Sequence, residues 1–133
     1  MNELIPANAH AFLKRFQFRG GWLRRFRVRN KSADTATGEL RLTARDTTTN
    51  QPVRLRLKFD GVEEYRFQRR PGPGLVRLTE VQVGFFGNLV YINLDAFTEE
   101  GPPKVMDFRA SDCFLAGRSV QWAIDERKAS KSD

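Results

Sequence analysis

Two carboxylates and one long cationic row are the groups in this chain whose spacing could do chemistry. Glu80 and Asp95 flank a segment that alternates polar and apolar residues about Gly87-Asn88. Folding that segment on a two-residue turn, with glycine supplying the positive φ of a type II′ loop, sets Glu80 opposite Asp95. The same register pairs Phe85 with Val90, Val83 with Ile92, Val81 with Leu94 and Gln82 with Asn93, and lays Tyr91 across from Gly84. All three apolar pairs then share one face. Facing carboxylates can divide acid and base roles when their environments part their pKa values. At the open end of a hairpin, Arg77 can equally neutralise them as part of a structural network.

The cationic row begins at "RLRLKF", Arg54 to Phe59, where basic and apolar residues strictly alternate. Such alternation specifies a strand with one buried and one wet face. The connection "TTTNQP" allows Ala44 opposite Leu55, Leu42 opposite Leu57 and Leu40 opposite Phe59. Upstream, Val28 can meet Leu40 and Phe26 can meet Leu42. Downstream, an Asp60-Gly61-Val62 loop would pair Leu57 with Tyr65 and Leu55 with Phe67, leaving Arg56 beside Arg66. The polar rows of four strands then merge into one face carrying Arg25, Arg27, Arg29, Arg41, Arg45, Arg54, Arg56, Lys58 and Arg66. Like charges directly opposite in a sheet are destabilising, although at physiological salt exposed charges are screened beyond about 8 Å. A solvated outer face and a docking surface for an acidic partner both account for this row.

Other chemistry is scarce. His10 is the only histidine and Cys113 the only cysteine, so neither a zinc site nor a nucleophile–histidine pair can be assembled with ordinary ligand counts. Glu63 and Glu64 are adjacent and would point to opposite faces of a strand. "RPGPG" (70–74) lacks the following helix that a phosphate loop needs. Phe26, Phe59, Tyr65 and Phe67 have the parity of the core, which leaves the cationic row without the aromatic platforms of a single-strand binder. The inventory therefore predicts a non-catalytic protein with no metal and no cofactor. An acidic protein surface is the expected partner; the alternative is a nucleic-acid backbone bound without base readout.

The elements that must hold these residues follow from period-2 patterning. Candidate strands are Trp22–Arg29, Glu39–Asp46, Pro52–Phe59, Glu64–Arg69, Arg77–Phe85, Leu89–Asp95, Val105–Arg109 and Ser119–Asp125, with Cys113–Ala116 open between strand and connector. "PANAHAFLKRF" reads as a short helix opened by Pro6. The expected fold is all-β: an antiparallel sandwich or open barrel of about eight short strands with a short N-terminal helix. Its core would comprise Phe26, Val28, Leu40, Leu42, Leu55, Leu57, Phe59, Phe67, Val81, Val83, Ile92, Leu94, Val120, Trp122 and Ile124, with Trp22 also inside.

With 133 residues, the chain suits one domain, 127–133 forming a polar tail. The net charge of +7 sits in the first half: residues 1–66 hold 14 basic and 7 acidic residues, and 67–133 hold 9 of each. No stretch reaches the ~20 apolar residues that span a bilayer. The N-terminus lacks the basic and apolar regions of a signal peptide. With a lone cysteine, this predicts a reducing, cytoplasmic setting.

The stretch "LRLTARDTTTNQPVRLRLKFDGVEEYRF" resembles small bacterial all-β families, among them immunity proteins that neutralise polymorphic toxins and neighbouring families with no assigned function. The shared feature is an alternating strand ending in Phe59, followed by Gly61 and Val62. The resemblance implies an intracellular bacterial protein that binds another protein. It carries over no functional residue.

Overall fold

The alternation in the sequence becomes one antiparallel sheet, curled into a half-barrel in a computed structural model. The structure describes residues 1–30, 32, 35–68, 76–96 and 103–125. Its elements are β1 (Asn2–Glu3), α1 (Pro6–Arg15), β2 (Phe16–Gln17), β3 (Trp22–Asn30), β4 (Ala36–Asp46) and β5 (Gln51–Phe67). They continue with β6 (Val76–Arg77), β7 (Gln82–Phe86), β8 (Leu89–Asn93), α2 (Val105–Arg109) and β9 (Cys113–Ile124). The strand order is β6-β3-β4-β5-β9-β8-β7, with β1 added to β9 and β2 to β4. The sandwich alternative is thus set aside in favour of the open barrel.

The β7–β8 hairpin keeps the expected register: Phe85 pairs with Val90, Val83 with Ile92, Gln82 with Asn93 and Gly84 with Tyr91. Gly87 has φ +62°, as the turn requires. The ladder ends at Gln82 and Asn93, so the strands expected over Arg77–Phe85 and Leu89–Asp95 are shorter.

Over most of β3, β4 and β5 parity held and register did not. β4 and β5 pair Leu42 with Leu55 and Leu40 with Leu57, two residues from the expected alignment. β3 and β4 slide likewise, pairing Phe26 with Leu40 and Arg27 with Glu39. A two-residue slip preserves which face each side chain takes. Leu40, Leu42, Leu55, Leu57, Phe59 and Val120 are all buried.

The larger departure is at Asp60-Gly61-Val62, where the expected hairpin loop is a corner within one continuous strand. Gly61 has φ +62°, and a bulge between Val62 and Glu64 bends β5 without reversing it. β9 follows it through the corner: Leu55 pairs with Ile124 and Leu57 with Trp122 before the bend, Tyr65 with Leu115 and Phe67 with Cys113 after it. Gly117 turns that corner because a Cβ there would lie 2.9 Å from the Asp60 carbonyl oxygen. The separate strand expected at Glu64–Arg69 does not form within the described residues; Arg69 lies outside them. Nor do Tyr65 and Phe67 reach the interior. They are 56% and 39% exposed, and Phe67 stacks on Phe26 at the mouth of the half-barrel.

Phe12 of α1 and Phe16 at the start of β2 pack against Trp122, with ring centroids 5.2 and 5.3 Å away. Val105–Arg109, expected as a strand, is a helical turn. The Asp107 carboxylate accepts the Lys104 backbone N–H at 2.7 Å, and Phe108 is driven into a second cluster with Tyr91, Phe114 and Ala116. This cluster covers the outer face of β8 and β9, so both faces of β8 are buried.

Candidate functional site

The outward rows of β3, β4 and β5 can be read directly from the pairing. One row runs Arg25, Arg41, Arg56, Ala123; the next runs Arg27, Glu39, Lys58, Gln121; a third runs Arg29, Thr37, Asp60, Ser119. Arg54 lies outward beside Thr43, and Arg45 lies outward at the Pro52 end of the sheet. The structure therefore brings Arg25, Arg27, Arg41, Arg45, Arg54, Arg56 and Lys58 onto one face, as the sequence implied. It does not bring Arg66. Past the corner that side chain donates to the backbone carbonyls of Arg109 (2.9 Å) and Ser111 (3.3 Å) and belongs to the α2 region.

Glu39 is the hub of the face. Its Oε1 accepts Arg25 Nη1 at 3.4 Å, and its Oε2 accepts Arg56 Nε at 3.0 Å and lies 3.5 Å from Arg41 Nη2. Burial would raise its pKa, but the charges and hydrogen bonds of Arg41, Arg25 and Arg56 together hold it below the ordinary glutamate value. Among the described residues, Arg27, Arg29, Arg54 and Lys58 make no ion pair, so most of the cationic field of the face remains uncompensated.

Trp22 is the residue that sequence parity misplaced. Expected inside, it is 37% exposed, and its backbone N–H donates to Thr43 Oγ1 on the outward side at 2.8 Å. The cause is a bulge at Arg24: Leu23 pairs with Leu42 and Arg25 with Arg41, leaving Arg24 as the extra residue. Parity inverts there, so Leu23 goes in and Trp22 comes out. The consecutive Arg24-Arg25, which breaks the alternation, is the signal that marked this. Arg77 lies over the indole with its guanidinium 5.2 Å from the ring centroid, instead of beside Glu80.

The remaining candidates are engaged or inert. Glu80 pairs with Arg19 at 3.0 Å, and its carbonyl accepts the Ala96 N–H, so it and Asp95 lie beyond the end of the β7–β8 ladder. A 580 Å³ hollow runs past Glu80 between α1 and Val81, with Lys14 and Arg19 on its rim. Glu64 accepts Tyr91 Oη at 2.6 Å and both Nε and Nη2 of Arg109 at 2.8 Å. The Arg109 hydrogen bonds hold the Glu64 carboxyl low, and burial pushes the Tyr91 hydroxyl up. Tyr91 and Arg109 of this trio line a 740 Å³ cleft together with Phe86, Leu89, Val105 and the Glu63–Arg118 pair. Burial pushes the Cys113 thiol up to about 12, which leaves almost no thiolate at neutral pH. His10 is exposed on α1.

Among the described residues no cluster of three His, Cys, Asp or Glu side chains could hold a metal, and no helix is long and apolar enough to cross a membrane. No family model, curated protein or solved structure matches the chain.

Proposed function

We propose that this protein is a non-catalytic binding module of the bacterial cytoplasm that takes an acidic protein surface on the outward face of β3, β4 and β5. The observation that carries this is the row structure of that face. Arg25, Arg41 and Arg56 already hold one carboxylate, Glu39, while Arg27, Arg54 and Lys58 beside them stand without one. Guanidinium groups suit carboxylates through paired hydrogen bonds. Arg and Trp are also the side chains that most often anchor protein interfaces, and Trp22 lies at the end of this face. The resemblance to immunity-protein-like families agrees with such a role, as a lone, buried cysteine agrees with a reducing compartment.

A second reading, a nucleic-acid backbone, is favoured by Trp22 alone. A single-strand binder uses several stacking platforms. Here one indole is available, and Arg77 already occupies one of its faces.

Fluorescently labelled poly-glutamate and mixed-sequence single-stranded DNA separate the two. The expected result is saturable binding of poly-glutamate, abolished by the double substitution Arg54→Glu and Arg56→Glu, with circular dichroism unchanged. Tighter binding of DNA, with a log–log salt slope of about −0.7 per phosphate, would transfer the conclusion to the second reading. Binding of neither at low ionic strength would leave the face merely solvated.

A further inference from the structure

β3 is a sheet edge over most of its length. β6 pairs only with Trp22 and Leu23, and among the described residues Arg24–Asn30 has no strand on its outer side. An edge strand presents a row of backbone donors and acceptors ready to pair with another chain. Three features say which chain this edge would accept. Arg25, Arg27 and Arg29 point outward at every second position, each with its charge on the margin of the cationic face. Phe26 points inward between them and is only half-buried. Beside Phe26 stand Phe67, at 4.9 Å and 39% exposed, and Tyr65, at 6.4 Å and 56% exposed. The edge is thus cationic on one side and aromatic on the other. A second copy of this chain suits the edge less well, because antiparallel pairing of two β3 edges would set further arginines against arginines with no carboxylate such as Glu39 between them.

We propose that β3 recruits its partner by strand addition: an extended segment that alternates acidic with apolar residues pairs along Arg24–Asn30. Its carboxylates lie beside Arg25, Arg27 and Arg29, and its apolar side chains cover Phe26, Tyr65 and Phe67. Main-chain hydrogen bonds supply affinity in such docking, and the alternate side chains supply specificity. The inference rests on the acidic-partner reading and adds the partner's backbone conformation and side-chain pattern.

Hydrogen exchange with a Glu-Val repeat peptide tests it, with a Lys-Val repeat as control. The Glu-Val peptide should bind the intact chain and slow amide exchange within Arg24–Asn30 at least tenfold, while the Lys-Val peptide should do neither. The triple substitution Arg25→Glu, Arg27→Glu and Arg29→Glu should exchange the two preferences. Binding of the Glu-Val peptide without new protection in β3 would overturn strand addition and leave the acidic-partner reading standing. Amides of Arg24–Asn30 as protected in the free protein as those of β4 would mean that the chain itself covers the edge, and would overturn it too. Failure of both the peptide and poly-glutamate to bind would remove both conclusions.

Discussion

Phe67 stacks on Phe26 with ring centroids 4.9 Å apart and planes 14° from parallel. The contact joins β3 to the far half of β5, beyond the corner, and so records the curl of the sheet. Offset aromatic pairs contribute about 0.5–1.5 kcal/mol beyond their burial. A double-mutant cycle with Phe26→Ala and Phe67→Ala should give a coupling energy in that range by urea denaturation. A coupling near zero would mean that the mouth is not closed by this pair in solution.

The corner itself is set by Gly117, whose missing side chain admits the Asp60 carbonyl. A methyl group there meets backbone, which cannot move aside as a flexible side chain would. Gly117→Ala should cost about 1–3 kcal/mol, the usual range for overpacking. A change in urea midpoint below a few tenths of a molar would contradict the close approach.

Asp46 should make the fold acid-sensitive. The hydrogen bonds from Arg15 (3.0 and 3.3 Å), followed by that from the Thr48 hydroxyl, hold its carboxyl down at about 2. A carboxyl whose folded pKa is depressed contributes stability above its unfolded value, near 4, and loses it as pH falls towards 2. Unfolding free energy measured against pH should therefore fall between pH 4 and 2 in the native protein. In Asp46→Asn that part of the slope should be missing.

Tyr91 reaches over Ala116 to Glu64, since both pair with that alanine from opposite sides. Tyr91→Phe keeps the ring contacts with Phe86, Phe108 and Phe114 and removes the 2.6 Å hydrogen bond donated to Glu64 together with the longer one, 3.3 Å, accepted from Arg109 Nη2. The expected cost is about 1–2 kcal/mol. Burial and the Glu64 hydrogen bond raise the folded pKa of the tyrosine. Its contribution is therefore complete below pH 10 and is lost as pH rises through the folded value. Absorbance titration should show a late-ionising tyrosine that is missing in Tyr91→Phe.

Glu39 neutralises part of the face that is proposed to bind. Glu39→Gln removes one negative charge and frees Arg25, Arg41 and Arg56 from it. Poly-glutamate should bind about twofold to fivefold tighter at low salt, the equivalent of ~0.4–1 kcal/mol for a partly exposed ion pair. Weaker binding would mean that the carboxylate chiefly orders the three arginines.

The long strands β3, β4 and β5, the inward and outward sides of most of their residues, and one hairpin were determined by the sequence alone. These are local properties: alternation at Leu40–Ala44 and Leu55–Phe59 fixes which side chains leave water, and Gly87-Asn88 fixes a turn. The cationic face was legible for the same reason, as the outward half of that alternation. Only the tertiary structure decided the rest. Register among β3, β4 and β5 depends on neighbours distant in sequence, and a slip of two residues leaves the pattern unchanged. The bulge at Arg24 inserts one residue and inverts parity; that is why Trp22 faces solvent. Gly61 reads as a hairpin turn in isolation and becomes a corner because β9 is long enough to pair with β5 on both sides of it. Val105–Arg109 has the composition of a strand, yet it became a helix because the backs of β7, β8 and β9 present the bare backbone of Gly84, Tyr91 and Phe114, and Phe108 on a helical turn covers them.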